Sequence, residues 1–496
     1  GGITRRQKLG HKFDLKDCGR RGLSCMFPAG CEVALHHHAA CTDRSQILGS
    51  ACDRSGKANM VDQREPVLRQ IFAAALAAAD PKTCLAPAMA DLLANPPSGR
   101  LLVVGAGKAS GAMAAAFEAA WLAAHPDRPI DGLVITRYDH KVATQMIEVV
   151  EAAHPVPDQA GLAAAERMLA LANGLRAGDL MVALISGGGS ALLSLPAAGV
   201  GFADKQRLTD ALLHSGANIH EMNCVRKHLS AIKGGRLAAA AFPARSLAYV
   251  ISDVPGDDLA TIASGPTVAD PTTLAMAAEI LAGYKLTVPA SIAEQLRTGA
   301  ETPKPGDKTL SGSQAVMVAT PQMALTAAAA AARANGYTPM ILGDAIEGEA
   351  REVGQVMAAI AAQVARHQQP LAAPAILLSG GETTVTVRGS GCGGRNVEFL
   401  LALGLALDQR AGDCRDRIAA IACDTDGIDG AATVAGAYLP ADTARRAKDA
   451  GVDLSSALAG NDGHGFFAAL QTAVITGPTL TNVNDFRAIL IDRQAN

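Results

Sequence analysis

Several glycine-rich stretches of this sequence place a charged or hydroxyl side chain beside bare backbone. They are Gly105-Ala106-Gly107-Lys108, Gly187-Gly188-Gly189-Ser190, Ser379-Gly380-Gly381-Glu382 and the run that ends at Arg395-Asn396. Backbone N–H groups that converge at such turns bind anions, particularly where a helix begins. We therefore interpret these stretches as candidate phosphate- or substrate-binding sites. For a lone triple glycine, a tight turn packed against its own sheet is the alternative.

The stretch around Lys108 matches neither of two familiar nucleotide-binding loops. A Walker A loop requires a glycine where this chain has Leu102, and a serine or threonine where it has Ala109. A dinucleotide fingerprint ends in glycine or alanine, and this chain has Ser110 there. We therefore interpret Lys108 as a point charge, held by glycines at the end of a strand, that binds a phosphate. A solvent-exposed loop lysine is the alternative.

A second group of charges lies in the stretch NCVRKHLSAIKGGRLA. Arg226 and Lys233 are seven residues apart, which predicts that they share one face of a helix. The acidic residues Asp253, Asp257 and Asp258 follow in ISDVPGDDLATIASGPT. We expect Arg226 and Lys233 to line a cleft that binds substrate or phosphate. A solvent-exposed charged face is the alternative.

An acidic loop in the second half of the chain is a candidate metal site. The stretch CDTDGIDG contains Asp424, Asp426 and Asp429 after an apolar run, but it lacks the full spacing of an EF-hand. Mg²⁺ usually takes one or two carboxylates together with phosphate oxygens, so we predict Asp424 and Asp426 as its ligands. Further along, TGPTLTNVND forms a polar patch that turn chemistry alone would explain.

Composition favours a globular protein that acts on a small molecule. The 496 residues are 49% hydrophobic and 18% charged, with a net charge of −3, which leaves no basic footprint for nucleic acid. We find no apolar run of about eighteen residues, the length that could span a bilayer. We therefore expect neither a nucleic-acid nor a membrane partner.

Strands, glycine turns and helices alternate from Leu101 onward, which predicts an α/β fold. We expect an N-terminal Rossmann-like domain at residues 60–303, with a parallel sheet and helices on both faces. A mixed α/β domain at residues 304–496 should follow the stretch TGAETPKPGDKTL. Ligands of such folds bind at the carboxyl ends of strands or between domains, so we place the active site in the interdomain cleft.

The first 59 residues differ from the rest of the chain. They hold five of the ten cysteines and four of the twelve histidines, without hydrophobic periodicity. The cysteine spacing fits no paired Cys-x-x-Cys metal site, and no apolar core of a signal peptide is present. We predict a disordered or non-native extension ahead of Met60, after which an amphipathic helix begins. The scattered remaining cysteines are typical of reduced thiols in a cytoplasm.

Taken in order, eight motifs resemble those of the class II glycerate 2-kinases, in which a glycerate-kinase N-terminal domain precedes a MOFRL C-terminal domain. The motifs are VVGAGKAS, ALISGGGSALL, NCVRKHLSAIKGGRLA, ISDVPGDDLATIASGPT, LSGGETTVTV, GGRNVEF, DTDGIDG and TGPTLTNVND. The resemblance extends from about Leu68 to the C-terminus.

The resemblance implies that ATP and Mg²⁺ are used to phosphorylate D-glycerate to 2-phosphoglycerate, in glyoxylate, serine and tartrate metabolism. By position, Lys108 and Arg395 would be the catalytic cations, one from each domain. An acid such as Asp253 would orient the attacking hydroxyl. The partners would be D-glycerate and ATP, with a homodimer left open.

Two other functions stay open at this point. One is an NAD(P)H-dependent hydroxypyruvate reductase, a label sometimes given to proteins of this family. The missing sixth glycine or alanine at Ser110 counts against it. The other is a regulator that binds a sugar acid or a nucleotide without catalysis.

Overall fold

The computed structural model describes residues 62–430 and 432–494, which contain two six-stranded sheets. The prediction for residues 1–59 lies outside the described residues. Among the residues described, no helix is both long enough and apolar enough to cross a membrane.

The first sheet is parallel throughout, with strand order β3-β2-β1-β4-β5-β6. Its strands are β1 (Leu101–Ala106), β2 (Asp131–Arg137), β3 (Glu148–Ala152), β4 (Leu180–Ile185), β5 (Arg245–Ile251) and β6 (Ser313–Ala319). Every residue of β1 and β4 is buried, as expected for central strands of a sheet covered on both faces. The predicted parallel sheet is thereby confirmed.

The second sheet is mixed, with strand order β13-β12-β11-β14-β9-β7. Its strands are β7 (Thr338–Gly343), β9 (Ala375–Gly381), β11 (Ile418–Asp424), β12 (Gly436–Leu439), β13 (Ala473–Val474) and β14 (Asp485–Ile491). Only β7 and β9 pair in parallel, and the other neighbours are antiparallel. A two-stranded ribbon joins β8 (Gly348–Glu349) and β10 (Thr383–Thr384). The predicted mixed α/β half is confirmed.

Helices connect and cover these strands. Up to β6 they are α1 (Arg64–Ala79), α2 (Pro81–Ala88), α3 (Ala90–Ala94), α4 (Ser110–Ala124), α5 (Gln159–Asn173), α6 (Gly189–Leu192), α7 (Phe202–Ser215), α8 (Ile219–His228), α9 (Arg236–Ala241), α10 (Leu274–Gly283) and α11 (Ala290–Thr298). After β6 they are α12 (Pro321–Ala334), α13 (Ala350–His367), α14 (Arg395–Arg410), α15 (Thr443–Ala450), α16 (Leu454–Gly460) and α17 (Gly463–Ala469).

Alternation along each strand divides the buried residues between the two faces of a sheet. In β1, Val103 joins the core that contains Phe117 of α4, whereas Val104 joins the core that contains Met168 of α5. The core on the Val103 side also includes Ile376 and Phe486 of the second sheet. One apolar core therefore extends from the first sheet to the second and fixes the position of one relative to the other.

The strand at Ser313–Ala319 corrects the sequence-based organisation. The predicted boundary at residues 303 and 304 falls before β6 and assigns that strand to the second half. In the structure β6 pairs with β5 and completes the first sheet. The domain boundary itself stays a prediction, but this sheet extends beyond it to Ala319.

Candidate active site

A cleft of about 610 Å³ lies where the carboxyl ends of the first sheet's strands face loops of the second half. The first half contributes Lys108 after β1, Gly188 after β4 and Asp253 after β5. The second half contributes polar and charged residues, namely Glu382, Thr383, Arg395, Glu398, Asp424, Asp426, Asn461, Asn482 and Asn484. The cleft therefore contains the principal residues that the sequence suggested for chemistry.

Lys108 reaches across the cleft to the second half. Its Nζ lies 2.6 Å from Oδ2 of Asp426, and both side chains are largely buried. Burial lowers the pKa of Lys108, but the carboxylates of Asp426 and Asp424 outweigh that effect and hold it above its ordinary value. Lys108 is therefore a fixed positive charge at neutral pH.

The backbone of the turn after β1 is already hydrogen-bonded within the protein. The N–H of Lys108 donates to the carbonyl of Gly187 at 2.8 Å, and the N–H of Ala109 donates to Oγ of Ser186 at 3.0 Å. These amides are not free to bind a pyrophosphate. This turn supplies the Lys108 side chain rather than an amide cradle.

The triple glycine forms a tight turn after β4. Gly188 has φ = +78°, a conformation that favours glycine, and a Cβ at Gly187 would lie 1.8 Å from Oδ2 of Asp253. In the described part of the chain, the N–H groups of Gly187 and Gly188 donate to no protein acceptor. Only the four-residue α6 follows, ending at Leu192 instead of continuing as a long helix. The turn therefore offers backbone donors beside Asp253.

Asp253 lies between the glycine turn and the polar segment before β14. Its Oδ2 accepts a hydrogen bond from Nδ2 of Asn482 at 3.0 Å, and its carbonyl accepts one from Asn484. Burial raises the pKa of Asp253 to about 6, against the opposing effect of Lys108. At neutral pH the carboxylate is ionised and can accept a proton.

Arg395, the first residue of α14, is surrounded by carboxylates. Its guanidinium donates to Asp485 at 2.6 Å, Glu382 at 2.7 Å and Asp424 at 2.8 Å. Burial opposes its charge, but Asp485, Asp424 and Glu382 raise the pKa of Arg395 above its usual value. Asp485 is the last residue of the stretch TGPTLTNVND, which the sequence indicated only as a polar patch.

The three aspartates of the acidic loop have two different roles. Asp429 accepts the backbone N–H groups of Asn396 and Val397 at 3.0 Å each, so it caps the first turn of α14. Burial and the neighbouring Asp426 raise the pKa of Asp424 well above its ordinary value, whereas Lys108 holds that of Asp426 below it in spite of burial. Of the three aspartates in this loop, Asp424 and Asp426 line the cleft and Asp429 does not.

The donor set fits a magnesium ion that takes its remaining ligands from phosphate and water. Among the described residues, no three His, Cys, Asp or Glu side chains are arranged to hold a metal by themselves. Asp424 and Asp426 nevertheless supply two adjacent carboxylates, the number that Mg²⁺ commonly takes beside phosphates. Five carboxylates and three cations, among the described residues, line the cleft, so an anionic nucleotide would need added positive charge.

Several predicted site residues lie away from the cleft. Helix α8 ends at His228, so Arg226 and Lys233 do not share a helical face. Lys233 is 1% exposed and donates to the carbonyls of Ser190 and Leu193, which makes it a support for α6. Arg226 is absent from the cleft lining.

The other predicted residues outside the lining have packing roles that the structure makes visible. Gly380 and Gly381 are buried in β9, where a Cβ at Gly381 would lie 2.2 Å from the nitrogen of Ile346. Asn396 is buried and donates to Asp485 at 2.8 Å.

The end of the triple-glycine turn is also packed within the protein. A Cβ at Gly189 would lie 2.6 Å from the Cβ of Ala263, and the hydroxyl of Ser190 is hydrogen-bonded to that of Ser264.

Among the cleft residues that sequence reasoning did not single out are Arg137 and His154. Arg137 is the last residue of β2, and His154 follows β3 by two positions. Burial, Lys108 and Arg137 lower the pKa of His154 to about 4, so its imidazole is neutral. The rule that ligands bind at the carboxyl ends of parallel strands would have identified Arg137, whereas β3 itself was not recognised.

Two domain families match the chain. Residues 67–297 match a domain of unknown function, DUF4147, and residues 375–485 match the MOFRL family. The first match covers the parallel sheet as far as β5, and the second covers the strands and loops that carry Arg395 and the acidic loop.

Similar proteins carry two kinds of name. A protein of Agrobacterium vitis named "Putative hydroxypyruvate reductase" is 54% identical over 87% of this chain and 95% of its own length. The D-glycerate 2-kinase of Thermotoga maritima is 39% identical over 78% of this chain and 89% of its own length. The crystal structure of a Thermotoga maritima glycerate kinase has a TM-score of 0.78 at 36% identity, covering 87% of this chain and all of that one. The chain therefore belongs to the glycerate 2-kinase family, with an N-terminal DUF4147 domain and a C-terminal MOFRL domain.

Proposed function

We propose that this protein transfers the γ-phosphoryl group of ATP to the 2-hydroxyl of D-glycerate. The observation that carries the proposal is the placement of Lys108 and Arg395 in one cleft, from opposite halves of the molecule and on either side of Asp424 and Asp426. Phosphoryl transfer depends on positioning and on neutralising the charge of the transferring group, and this arrangement suits both. Relatives named as glycerate kinases support it.

Lys108 and Arg395 act on the transferring phosphoryl group. Both are held by carboxylates in the described structure, so a bound phosphate must compete with Asp426 for Lys108 and with Glu382 for Arg395. Glu382 is the partner best able to release Arg395, because its side chain is 49% exposed. Charges that are already positioned need little reorganisation when the transition state forms.

Asp253 serves as the group that accepts the hydroxyl proton. As the new P–O bond to the 2-oxygen of glycerate forms, the bond from the γ-phosphorus to ADP breaks and the hydroxyl proton passes to the carboxylate. The hydrogen bond from Asn482 orients that carboxylate toward the glycine turn. The amides of Gly187 and Gly188, which have no acceptor among the described residues, would bind oxygens of the substrate or phosphate without adding bulk.

Asp424 and Asp426 would hold Mg²⁺ together with phosphate oxygens. When bound, the ion supplies positive charge that offsets the surplus of carboxylates in the cleft. The protein's own part is to place both carboxylates beside Lys108 and Arg395.

A second candidate function comes from relatives named as hydroxypyruvate reductases. It would require a dinucleotide site, and the turn after β1 is the natural place for its pyrophosphate. The amides of Lys108 and Ala109 are bonded within the protein there, which disfavours this function.

The test supplies the purified protein with ATP, Mg²⁺ and D-glycerate and follows ADP release, with the product identified by phosphorus NMR. We expect a 2-phosphoglycerate signal. A parallel assay follows NADH and NADPH consumption with hydroxypyruvate. Consumption of reduced cofactor without any phosphorylated product would contradict the proposal, and phosphate on the 3-hydroxyl would correct its position.

A further inference from the structure

Among the described residues, Arg137 differs from the other cations of the cleft in having no side-chain partner. Lys108 is paired with Asp426, and Arg395 is paired with three carboxylates. Within the described part of the chain, the guanidinium of Arg137 makes neither a hydrogen bond nor an ion pair, although it lines the cleft and is half-buried. An arginine without a partner in a concave polar site is available to an anionic ligand.

The backbone places Arg137 directly beside Lys108. β1 and β2 are paired in parallel, with Ala106 opposite Ile135, so Lys108 and Arg137 each lie two residues beyond that pair. The hydroxyl of Thr136 donates to the carbonyl of Lys108 at 3.2 Å, which ties the two strand ends together. Lys108 and Arg137 therefore follow neighbouring strand ends and line the same cleft.

His154 completes this end of the cleft. Residue 152 of β3 is opposite Arg137, and the His154 imidazole contacts the glycine turn so closely that a Cβ at Gly188 would lie 3.0 Å from Nε2. Because the imidazole is neutral, it neither repels Arg137 nor neutralises it, and it can form a hydrogen bond. Among the described residues, the cleft carboxylates that form ion pairs do so with Lys108, Arg395 or Arg351, and none pairs with Arg137. Arg137 and His154 therefore form a positive subsite of their own.

We infer that Arg137, with His154 beside it, binds the carboxylate of the acceptor and so selects a 2-hydroxy acid over a neutral alcohol. The inference rests on the proposed function. In a 2-hydroxy acid the carboxylate and the reacting hydroxyl are on adjacent carbons, so the carboxylate subsite must adjoin the position of the transferred phosphoryl group. Arg137 meets that condition because it follows β2 beside the strand end that carries Lys108, the residue we assign to the phosphoryl group. A guanidinium also matches a carboxylate with two parallel hydrogen bonds, which an ammonium does not.

Steady-state kinetics of Arg137→Ala test the inference. We expect kcat/KM for D-glycerate to fall by about 10- to 100-fold, the range for a lost hydrogen bond to a charged group, while KM for ATP stays within about twofold. Arg137→Lys should lie between the two, because it keeps the charge and loses the paired geometry. Arg100→Ala is the matched control, since this exposed arginine pairs with Asp131 at the start of β2 and should keep wild-type kinetics. A raised KM for ATP with an unchanged KM for D-glycerate would assign Arg137 to the nucleotide phosphates and overturn the inference.

Calorimetry without nucleotide separates this inference from the proposed function. D-glycerate is titrated into the wild-type protein and into Arg137→Ala, with glycerol as the ligand that lacks a carboxylate. Weaker D-glycerate binding by the variant supports the inference even if no phosphorylated product is ever found. Normal turnover and equal D-glycerate binding by both proteins would overturn the inference and leave the kinase proposal standing. If the wild-type protein neither binds nor phosphorylates D-glycerate, both fail. Thermal melts of the variants establish that each is folded.

Discussion

Replacement of Lys108 and Arg395 by alanine should separate catalysis from stability. Each replacement removes one positioned charge from the transferring phosphoryl group, so we expect kcat to fall by about 100-fold or more. Both cations serve the same developing charge. The double variant should therefore lose less than the product of the two single losses.

The structure predicts unequal effects on stability. Arg395 pairs with Asp485 and Asp424, whose side chains are 0% and 6% exposed, and removing one partner of a buried pair costs about 3 to 5 kcal/mol. Asp485 keeps its ion pair with Arg487, so the cost arises mainly at Asp424, whose one ion pair among the described residues is with Arg395. Lys108 compensates mainly Asp426, which keeps a hydrogen bond from the N–H of Ile428 at 2.9 Å. Arg395→Ala should therefore lower the melting temperature more than Lys108→Ala does.

The assay measures kcat from ADP release at saturating ATP and D-glycerate, and the melting temperature by circular dichroism. Arg297→Ala is the control, because it removes one arginine from an exposed pair with Glu294, and such pairs contribute only about 0 to 1 kcal/mol. Near-normal turnover of both cleft variants would refute the assignment of these cations to the phosphoryl group. Equal destabilisation by the two replacements would refute the reasoning from buried carboxylates.

Four further predictions concern the cleft and the first 59 residues. Wild-type kcat should decline about tenfold per pH unit below about pH 6, because Asp253, which faces Lys108, Glu382, Arg395 and Asn482, becomes protonated there. Asp253→Asn should lose most of the activity and, with it, this acidic decline of kcat. Asp257→Asn is the control and should keep the activity and its pH dependence. Because the folded pKa of Asp253 is raised, its contribution to stability is present at low pH and is lost as pH rises through about 6, which a melting series of wild type against Asp253→Asn will show. Asp426→Asn should raise the Mg²⁺ concentration needed for half-maximal activity, and an unchanged titration with a lower melting temperature would make the loop structural. Removal of residues 1–59 should leave the melting temperature and turnover unchanged, since both sheets are built from later residues.

Local sequence patterns were sufficient for the elements that carry the chemistry. Apolar runs followed by glycine turns predicted β1, β4 and β5, and parallel pairing places the residues that follow them at one edge of a sheet. Lys108 and Asp253 were therefore predictable as neighbours. The cap that Asp429 provides for α14 was not, because its partner amides lie more than thirty residues away in the chain.

Long-range contacts decided the rest. The pattern of β6 specifies a strand, but which sheet it joins depends on the free edge of β5. Arg226 and Lys233 were spaced for one helical face, yet α8 ends at His228 and the bonds of Lys233 to Ser190 and Leu193 make it part of the packing. The pairing of Arg395 with Asp485 and the absence of any described partner for Arg137 depend on side chains brought together only when the two sheets share one core. Sequence thus determined which residues could react, because residue type and local periodicity are local properties. The tertiary structure determined which of them meet, because ion pairs and burial are properties of the folded chain.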